Sequence, residues 1–261
     1  MSTLLNARHL VLDLLYASKN HQISVKRMLC AAKLLGITEN AVRVAITRLA
    51  QDQFIYCVSR GIYAMTYKKF NNDVGLLKNP ELYLSTEWDG SYILVSTGSL
   101  GRTDRSALAK REKALAYYGF RAIDSALYIR PNNLSPSILE LKQLMVAFGL
   151  EASAQFFKVS QVESVRKVRE LWNTAELIAG YHQASQSIQH WIAQAETLDL
   201  ATAAHSSFFV GKATILTLRH DPLLPAEWID IQARSSLERD VRDMYQRGRQ
   251  VWEQYFQMQN I

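Results

Sequence analysis

The sequence predicts an α+β protein in three parts: an N-terminal winged helix-turn-helix, a central ferredoxin-like βαββαβ domain and a C-terminal all-helical domain. Three observations predict it. Residues 24–66 read as helix, turn, helix and two-stranded hairpin. Residues 91–160 alternate strand and helix in the order β-α-β-β-α-β, a split βαβ pattern. From Val162 onward the apolar spacing is helical. The expected boundaries are 1–70 for the first domain, 71–90 for a linker, 91–160 for the second domain and 161–261 for a helical domain.

The first expected helix spans residues 6–18, with Leu10, Val11, Leu14 and Leu15 on its apolar face. Ser24 is a good N-cap for a second helix, in which Val25, Met28, Leu29, Ala32 and Leu35 share a face. Gly36 stops it, because glycine takes the left-handed conformation that closes a helix C-terminus. Thr38 caps a third helix, roughly Glu39 to Asp52. There Ala41, Val42, Ala45, Ile46 and Leu49 form the buried stripe, and Asn40, Arg43, Thr47, Arg48 and Gln51 lie off it. A short, basic helix rich in hydrogen-bonding side chains is what a major-groove reader requires. Its capped N-terminus also suits a phosphate oxygen. Phe54–Val58 and Ile62–Thr66 are β-prone runs around Ser59-Arg60-Gly61, a hairpin signal that puts Arg60 at the tip. The candidate DNA-binding residues are Lys26, Arg27, Thr38, Asn40, Arg43, Thr47, Arg48 and Arg60.

Residues 67–90 are rich in turn formers, among them Asn71, Asn72, Asp73, Gly75, Asn79 and Pro80. Strands are expected at Tyr92–Thr97, Phe120–Ile123, Ala126–Arg130 and Gln155–Val159. Helices are expected at Arg105–Tyr118, ended by Gly119, and from Ser135-Pro136 to Phe148, ended by Gly149. Residues 200–218 are apolar and expected to be buried. Two prolines, Pro222 and Pro225, must break any helix there. The last helix, about Gln232 to Phe256, carries a seam of Leu237, Val241, Met244, Gly248, Val251 and Tyr255. Such a seam either packs on its own domain or forms a dimer interface.

Charge supports a polyanion partner. Residues 1–70 hold ten Lys or Arg against three Asp or Glu, while the other 191 residues hold twenty against twenty-one. The net +6 of the chain therefore resides in the first domain, the electrostatic footprint of a nucleic-acid binder. No apolar run approaches the ~20 residues that span a bilayer, and the N-terminus lacks the features of a signal peptide, so the expectation is a cytoplasmic protein with no membrane partner. Cys30 and Cys57 are expected to be reduced, small packing residues.

No catalytic constellation stands out. None of the six histidines pairs with another at metal-site spacing. There is no Cys-x-x-Cys, no His-Glu-x-x-His and no Gly-x-Ser-x-Gly. Gly98-Ser99-Leu100-Gly101 is too short for a phosphate loop and lacks its lysine. The small metal-dependent nucleases of CRISPR systems share the ferredoxin-like fold, and resemblance to them implies an acidic ligand at the end of the first strand. That strand ends Val95-Ser96-Thr97-Gly98, with no carboxylate for a magnesium ion. The expectation is a protein that is not an enzyme and holds no cofactor or metal. A nuclease or thioesterase is the alternative from another class.

Three stretches carry a resemblance. Leu35-Gly36-Ile37-Thr38-Glu39-Asn40-Ala41-Val42-Arg43-Val44-Ala45-Ile46-Thr47-Arg48-Leu49 resembles the recognition region of the phenylacetic acid degradation repressor family, PaaX-like. Trp88-Asp89-Gly90, Tyr118-Gly119-Phe120 and Leu127-Tyr128-Ile129-Arg130-Pro131 resemble its central domain, and Leu218 to Trp228 its C-terminal signature. The sequence departs from the pattern in the hairpin, which reads Tyr63-Ala64-Met65-Thr66 where the family ends in leucine-threonine. The resemblance implies a homodimeric transcriptional repressor of aromatic-acid catabolism that binds a double-stranded operator and is released by an acyl-coenzyme A effector such as phenylacetyl-coenzyme A. Such a ligand wants arginines, an aromatic surface and an apolar slot, and the C-terminal region offers Trp172, Arg219, His220 and Trp228. Equally, the tryptophans serve as core, and Arg219 and His220 fasten the Asp221–Pro225 turn. A DNA-binding regulator with no small-molecule effector stays open beside the repressor.

Overall fold

The computed structural model describes residues 5–66 and 86–261, so the segment 67–85, with most of the expected linker 71–90, lies outside the described residues. The protein is a mixed helix-and-sheet chain whose C-terminal region is helical. It divides into two compact units, one of Met1–Leu76, Ala184–Ile215 and Leu237–Ile261, the other of Leu77–Gln183 and Leu216–Ser236.

In the first unit, Asn6 caps α1 (Ala7–Ala17) by accepting from His9 N. Ser24 caps α2 (Val25–Leu34) by accepting from Arg27 N. Thr38 caps α3 (Glu39–Gln51) by accepting from Ala41 N. Between α2 and α3, Gly36 has φ +73°. Its N–H bonds Lys33 O, and Ile37 N–H bonds Ala32 O. That double closure needs a left-handed residue, which glycine supplies without steric cost. The three helices bury Leu10, Val11, Leu14, Leu15, Met28, Ala32, Val42, Ile46 and Leu49, as their helical spacing requires.

A hairpin of β2 (Ile55–Ser59) and β3 (Ile62–Met65) follows, antiparallel, with a bulge between Cys57 and Ser59. A strand the sequence pattern does not announce, β1 (Gln22–Ser24), adds to its free edge through Ile23↔Tyr63. Three residues are too few to show a period of two. Asn20 and His21, both at positive φ, turn the chain into it.

The same unit contains residues from the long helices α7 (Thr174–Gln194), α8 (Leu200–Arg219) and α9 (Ile231–Met258). Leu237, Met244, Val251 and Tyr255 of the α9 seam are all buried within the single chain. The seam therefore serves internal packing. In α8 the small residues Ala203, Ala204, Ser207 and Thr214 are buried, while Phe209 is 43% exposed. The expectation of a buried run holds in part: the small face is buried, Phe208, Val210, Ile215 and Leu216 are half-buried, and Phe209 faces out.

The second unit contains a four-stranded sheet in the order β5-β6-β4-β7, every neighbouring pair antiparallel. Its strands are β4 (Tyr92–Ser96), β5 (Arg121–Ala122), β6 (Leu127–Pro131) and β7 (Gln155–Val159). Ile93 and Val95 point to one face and join a core with Leu115 of α4 (Arg105–Tyr117) and Leu141 and Met145 of α5 (Ile138–Ala147). The N-cap of α5 is Ser137, two residues beyond the expected Ser135. Ser137 and Glu140 form a reciprocal capping box that Ser135, followed by Pro136, does not match. Tyr92 lies on the opposite face, where Trp88, Trp172 and Trp228 gather. Trp88 and Trp228 meet edge to face at 5.2 Å, and Trp172 and Trp228 meet tilted at 5.6 Å. A short helix, α6 (Val165–Arg169), precedes α7.

Candidate nucleic-acid interface

Burial on one side of α3 dictates what the other side offers. Val42, Ala45, Ile46 and Leu49 are buried, so Glu39, Asn40, Arg43, Val44, Thr47, Arg48 and Gln51 form one exposed stripe at three- and four-residue spacing. Four of the residues expected to contact DNA, Asn40, Arg43, Thr47 and Arg48, are brought together here. The Arg43 side chain is 60% exposed and pairs with Glu39 at 3.6 Å, a solvent-screened contact that leaves the guanidinium available. Thr47 donates its hydroxyl proton to Arg43 O at 3.1 Å. Thr38 holds the start of the helix with its side-chain oxygen, so its role is a cap.

The remaining candidates lie elsewhere in the unit. Lys26 is exposed on α2. Its neighbour Arg27 is half-buried and makes a bidentate pair with Glu253 of α9, at 2.9 and 2.5 Å, with the guanidinium 5.0 Å from the Phe256 ring. That geometry satisfies the Arg27 fork, so the side chain fastens α2 to α9. Arg60 is exposed at the hairpin tip beside Gly61, whose φ of +77° the turn requires. Gly61 O in turn accepts from Val25 N at 2.8 Å, tying the tip to the start of α2.

Sequence reasoning passed over Val44, which is 41% exposed in the middle of the α3 stripe. The signal was present: a β-branched residue at a position outside the 42-45-46-49 register. Tyr56 and Val58, at 52% and 46% exposed on β2, are large apolar side chains in the hairpin that the sequence also left unremarked.

The four effector candidates divide. Trp172 and Trp228 are each 3% exposed and touch one another. Trp172 donates Nε1–H to Gly119 O at 3.2 Å, and Trp228 O accepts from Arg169 at 3.0 Å. Both are core residues in this arrangement, with no open ring face for a ligand to stack on. The Arg219 guanidinium sits 5.8 Å from the Tyr117 ring. Burial pushes the Tyr117 hydroxyl up to about 12, and Arg219 offsets part of that rise. His220 is exposed.

The turn between α8 and α9 is fastened by a buried arginine, an asparagine and an aspartate. Arg130, 1% exposed, donates to Tyr118 O, to Pro131 O at 3.0 Å, to Asn133 Oδ1 at 3.0 Å and to Pro222 O at 3.4 Å. Asn133 donates to Leu223 O at 2.8 Å. Asp221, also buried, accepts from Leu223 N and pairs with Arg234 at 2.8 Å. Leu223 itself has φ +55° and is held from both sides by these bonds. Stretches far apart in the sequence, Trp88, Tyr118–Phe120, Leu127–Pro131 and Asp221–Trp228, thus meet around one buried arginine and one tryptophan cluster.

Among the described residues, no three His, Cys, Asp or Glu side chains are grouped to hold a metal ion, and no helix is long and apolar enough to cross a membrane. No protein-family model and no curated protein matches the chain. The fold is similar to the solved structure of the uncharacterized protein Rv0674 from Mycobacterium tuberculosis, with a TM-score of 0.59 and 19% sequence identity. The likeness covers 94% of this chain and 98% of that one. At that identity the likeness concerns the fold alone.

Proposed function

We propose that the protein is a sequence-specific DNA-binding transcriptional regulator whose reader is the exposed face of α3. The observation that carries this reading is the stripe Asn40, Arg43, Thr47 and Arg48, presented on a helix locked from behind by its apolar face. α2, the Gly36 turn, α3 and the β2–β3 hairpin then act as a winged helix-turn-helix, with Arg60 on the wing. Arg43 is the first choice for a bidentate guanine contact, Asn40 for adenine, and Arg48 for base or phosphate. The strand order β5-β6-β4-β7 with its two helices supports a ferredoxin-like reading of the central sheet. Two protomers of a homodimer would place their α3 helices in successive major grooves of a near-palindromic operator.

On the resemblance to PaaX-like repressors, the regulator represses an aromatic-acid catabolic operon and is released by phenylacetyl-coenzyme A or a similar thioester. The ligand must then bind the DNA-incompetent arrangement better than the competent one. A specific observation favours the second reading, a DNA-binding regulator that no small molecule controls through the tryptophans: Trp172 and Trp228 are already consumed by the core.

Fluorescence anisotropy separates these readings. Purified protein is titrated onto DNA from upstream of its own gene and onto random DNA, then phenylacetyl-coenzyme A or free phenylacetate is added. Selective binding lost only with the thioester supports the repressor. Selective binding indifferent to both keeps the DNA-binding reading, removes phenylacetyl-coenzyme A as the effector and opens a search for another. Equal binding to both DNAs refutes sequence-specific recognition.

A further inference from the structure

The α3 stripe contains more than hydrogen-bonding groups. Val44 is 41% exposed and lies one turn from Asn40 and from Arg48, and three residues from Thr47. Thr47 has directed its only hydroxyl proton to Arg43 O, at 3.1 Å. With that proton engaged, Thr47 can offer a base only a hydroxyl oxygen that accepts and a methyl group, and the thymine edge, which holds no donor, can use only the methyl. Two adjacent apolar groups thus sit between Arg43 and Arg48 on a surface otherwise made to contact polar edges. At 41% exposure Val44 lies outside the buried stripe of the helix and presents apolar surface to water. In the major groove, the one apolar feature of a base edge is the thymine C5-methyl, and small apolar side chains are its partners.

We infer that Val44 and the Thr47 methyl are specificity-determining groups that select thymine by its C5-methyl beside the guanine read by Arg43. This rests on the DNA-binding reading above. It makes the preferred half-site contain thymine next to guanine, and it makes Thr47 a methyl contact where sequence alone suggests a hydrogen-bonding one.

The test uses the full-length protein. Preferred sites are first enriched from a random duplex library. Each thymine of the enriched site is then replaced in turn by uracil, which keeps every hydrogen-bonding group and removes only the methyl. Wild-type protein should lose about fourfold in affinity at one or two positions, the worth of one buried methyl-sized group. Val44→Ser and Thr47→Ser should each bind the thymine site about fourfold more weakly and no longer distinguish thymine from uracil at their own position. Thr47→Ser retains the hydroxyl and removes only the methyl, and both positions are exposed, so helical circular dichroism should be unchanged. If a site is enriched but uracil is tolerated everywhere, or is penalised equally in both variants and wild type, the inference is overturned while DNA reading stands. If no sequence is enriched, the DNA reading falls and the inference with it.

Discussion

Lys26 and Arg27 are adjacent basic residues with different surroundings, and they should respond differently to removal. Lys26 is exposed, so Lys26→Ala should weaken binding to all DNA sequences alike and lower the salt slope by about one, with Tm unchanged. Arg27→Ala breaks the fork on Glu253 and should lower Tm in the absence of DNA. Arg43→Ala should cost about 1–3 kcal/mol at a single base position and leave random DNA almost unaffected, as a competition assay with single-base operator variants would reveal. Glu151 is a separate case. Its pair with Arg111 holds its carboxyl below the ordinary carboxylate range, and the Arg111 side chain is only 4% exposed. A lowered folded-state pKa means that the stabilisation is present above about 4.3, the ordinary glutamate value, and is lost as pH falls through the folded value. Glu151→Gln should therefore reduce stability by about 3 kcal/mol at neutral pH. It should also flatten part of the decline in Tm below pH 4. Asp89, held low by Ser91 and Lys158, contributes to the same acid limb and keeps it from vanishing.

At the scale of elements, three helices end alike, at Gly36, Gly119 and Gly149, each with positive φ. Their surroundings separate them. A Cβ at Gly36 meets nothing within 4 Å, whereas one at Gly119 would lie 2.7 Å from Pro222 O. Gly36→Ala should cost the conformational penalty alone, about 1 kcal/mol, and Gly119→Ala distinctly more, about 2–3 kcal/mol, since the neighbour is backbone and cannot swing away. Urea denaturation of the two variants measures the difference. The helix stops were legible in the sequence because glycine after an apolar period has one usual meaning, and α3 was legible because its buried and exposed positions separate cleanly. β1 was not, having only three residues, nor was the capping of α5 at Ser137, which depends on how two nearby serines compete. Val44 was legible in principle, since its place off the buried register is fixed by spacing. The tryptophans were not: Trp172 and Trp228 suit a ligand pocket and a core equally well on composition, and only packing decides. The buried Arg130 was equally hidden, because its partners are mainly backbone carbonyls, which leave no mark on residue type.

For the whole molecule, the charge asymmetry has a measurable consequence. The basic excess lies within residues 1–70. Raising salt should therefore weaken binding to random DNA steeply and erode operator selectivity much less, since base-edge contacts release few counterions. Hydroxyl-radical footprinting should show two protected regions about one helical turn apart if two α3 helices engage together. A single protected half-turn would contradict the paired arrangement.

The Arg130 node also bears on how the chain is made. Its donors lie in β6 and the loop after it, and its acceptors include Pro222 and Leu223, some ninety residues later in the order of synthesis. The first unit has the same property, since Arg27 waits for Glu253. A nascent chain in which only the first two hundred residues have left the ribosome therefore holds the Arg130 guanidinium without its Pro222 acceptor and α2 without its Glu253 anchor. Closure of both units comes only as α9 emerges. A ribosome arrested shortly before residue 216 should thus display a protease-sensitive chain, and the same digestion applied to the finished protein should leave both units intact.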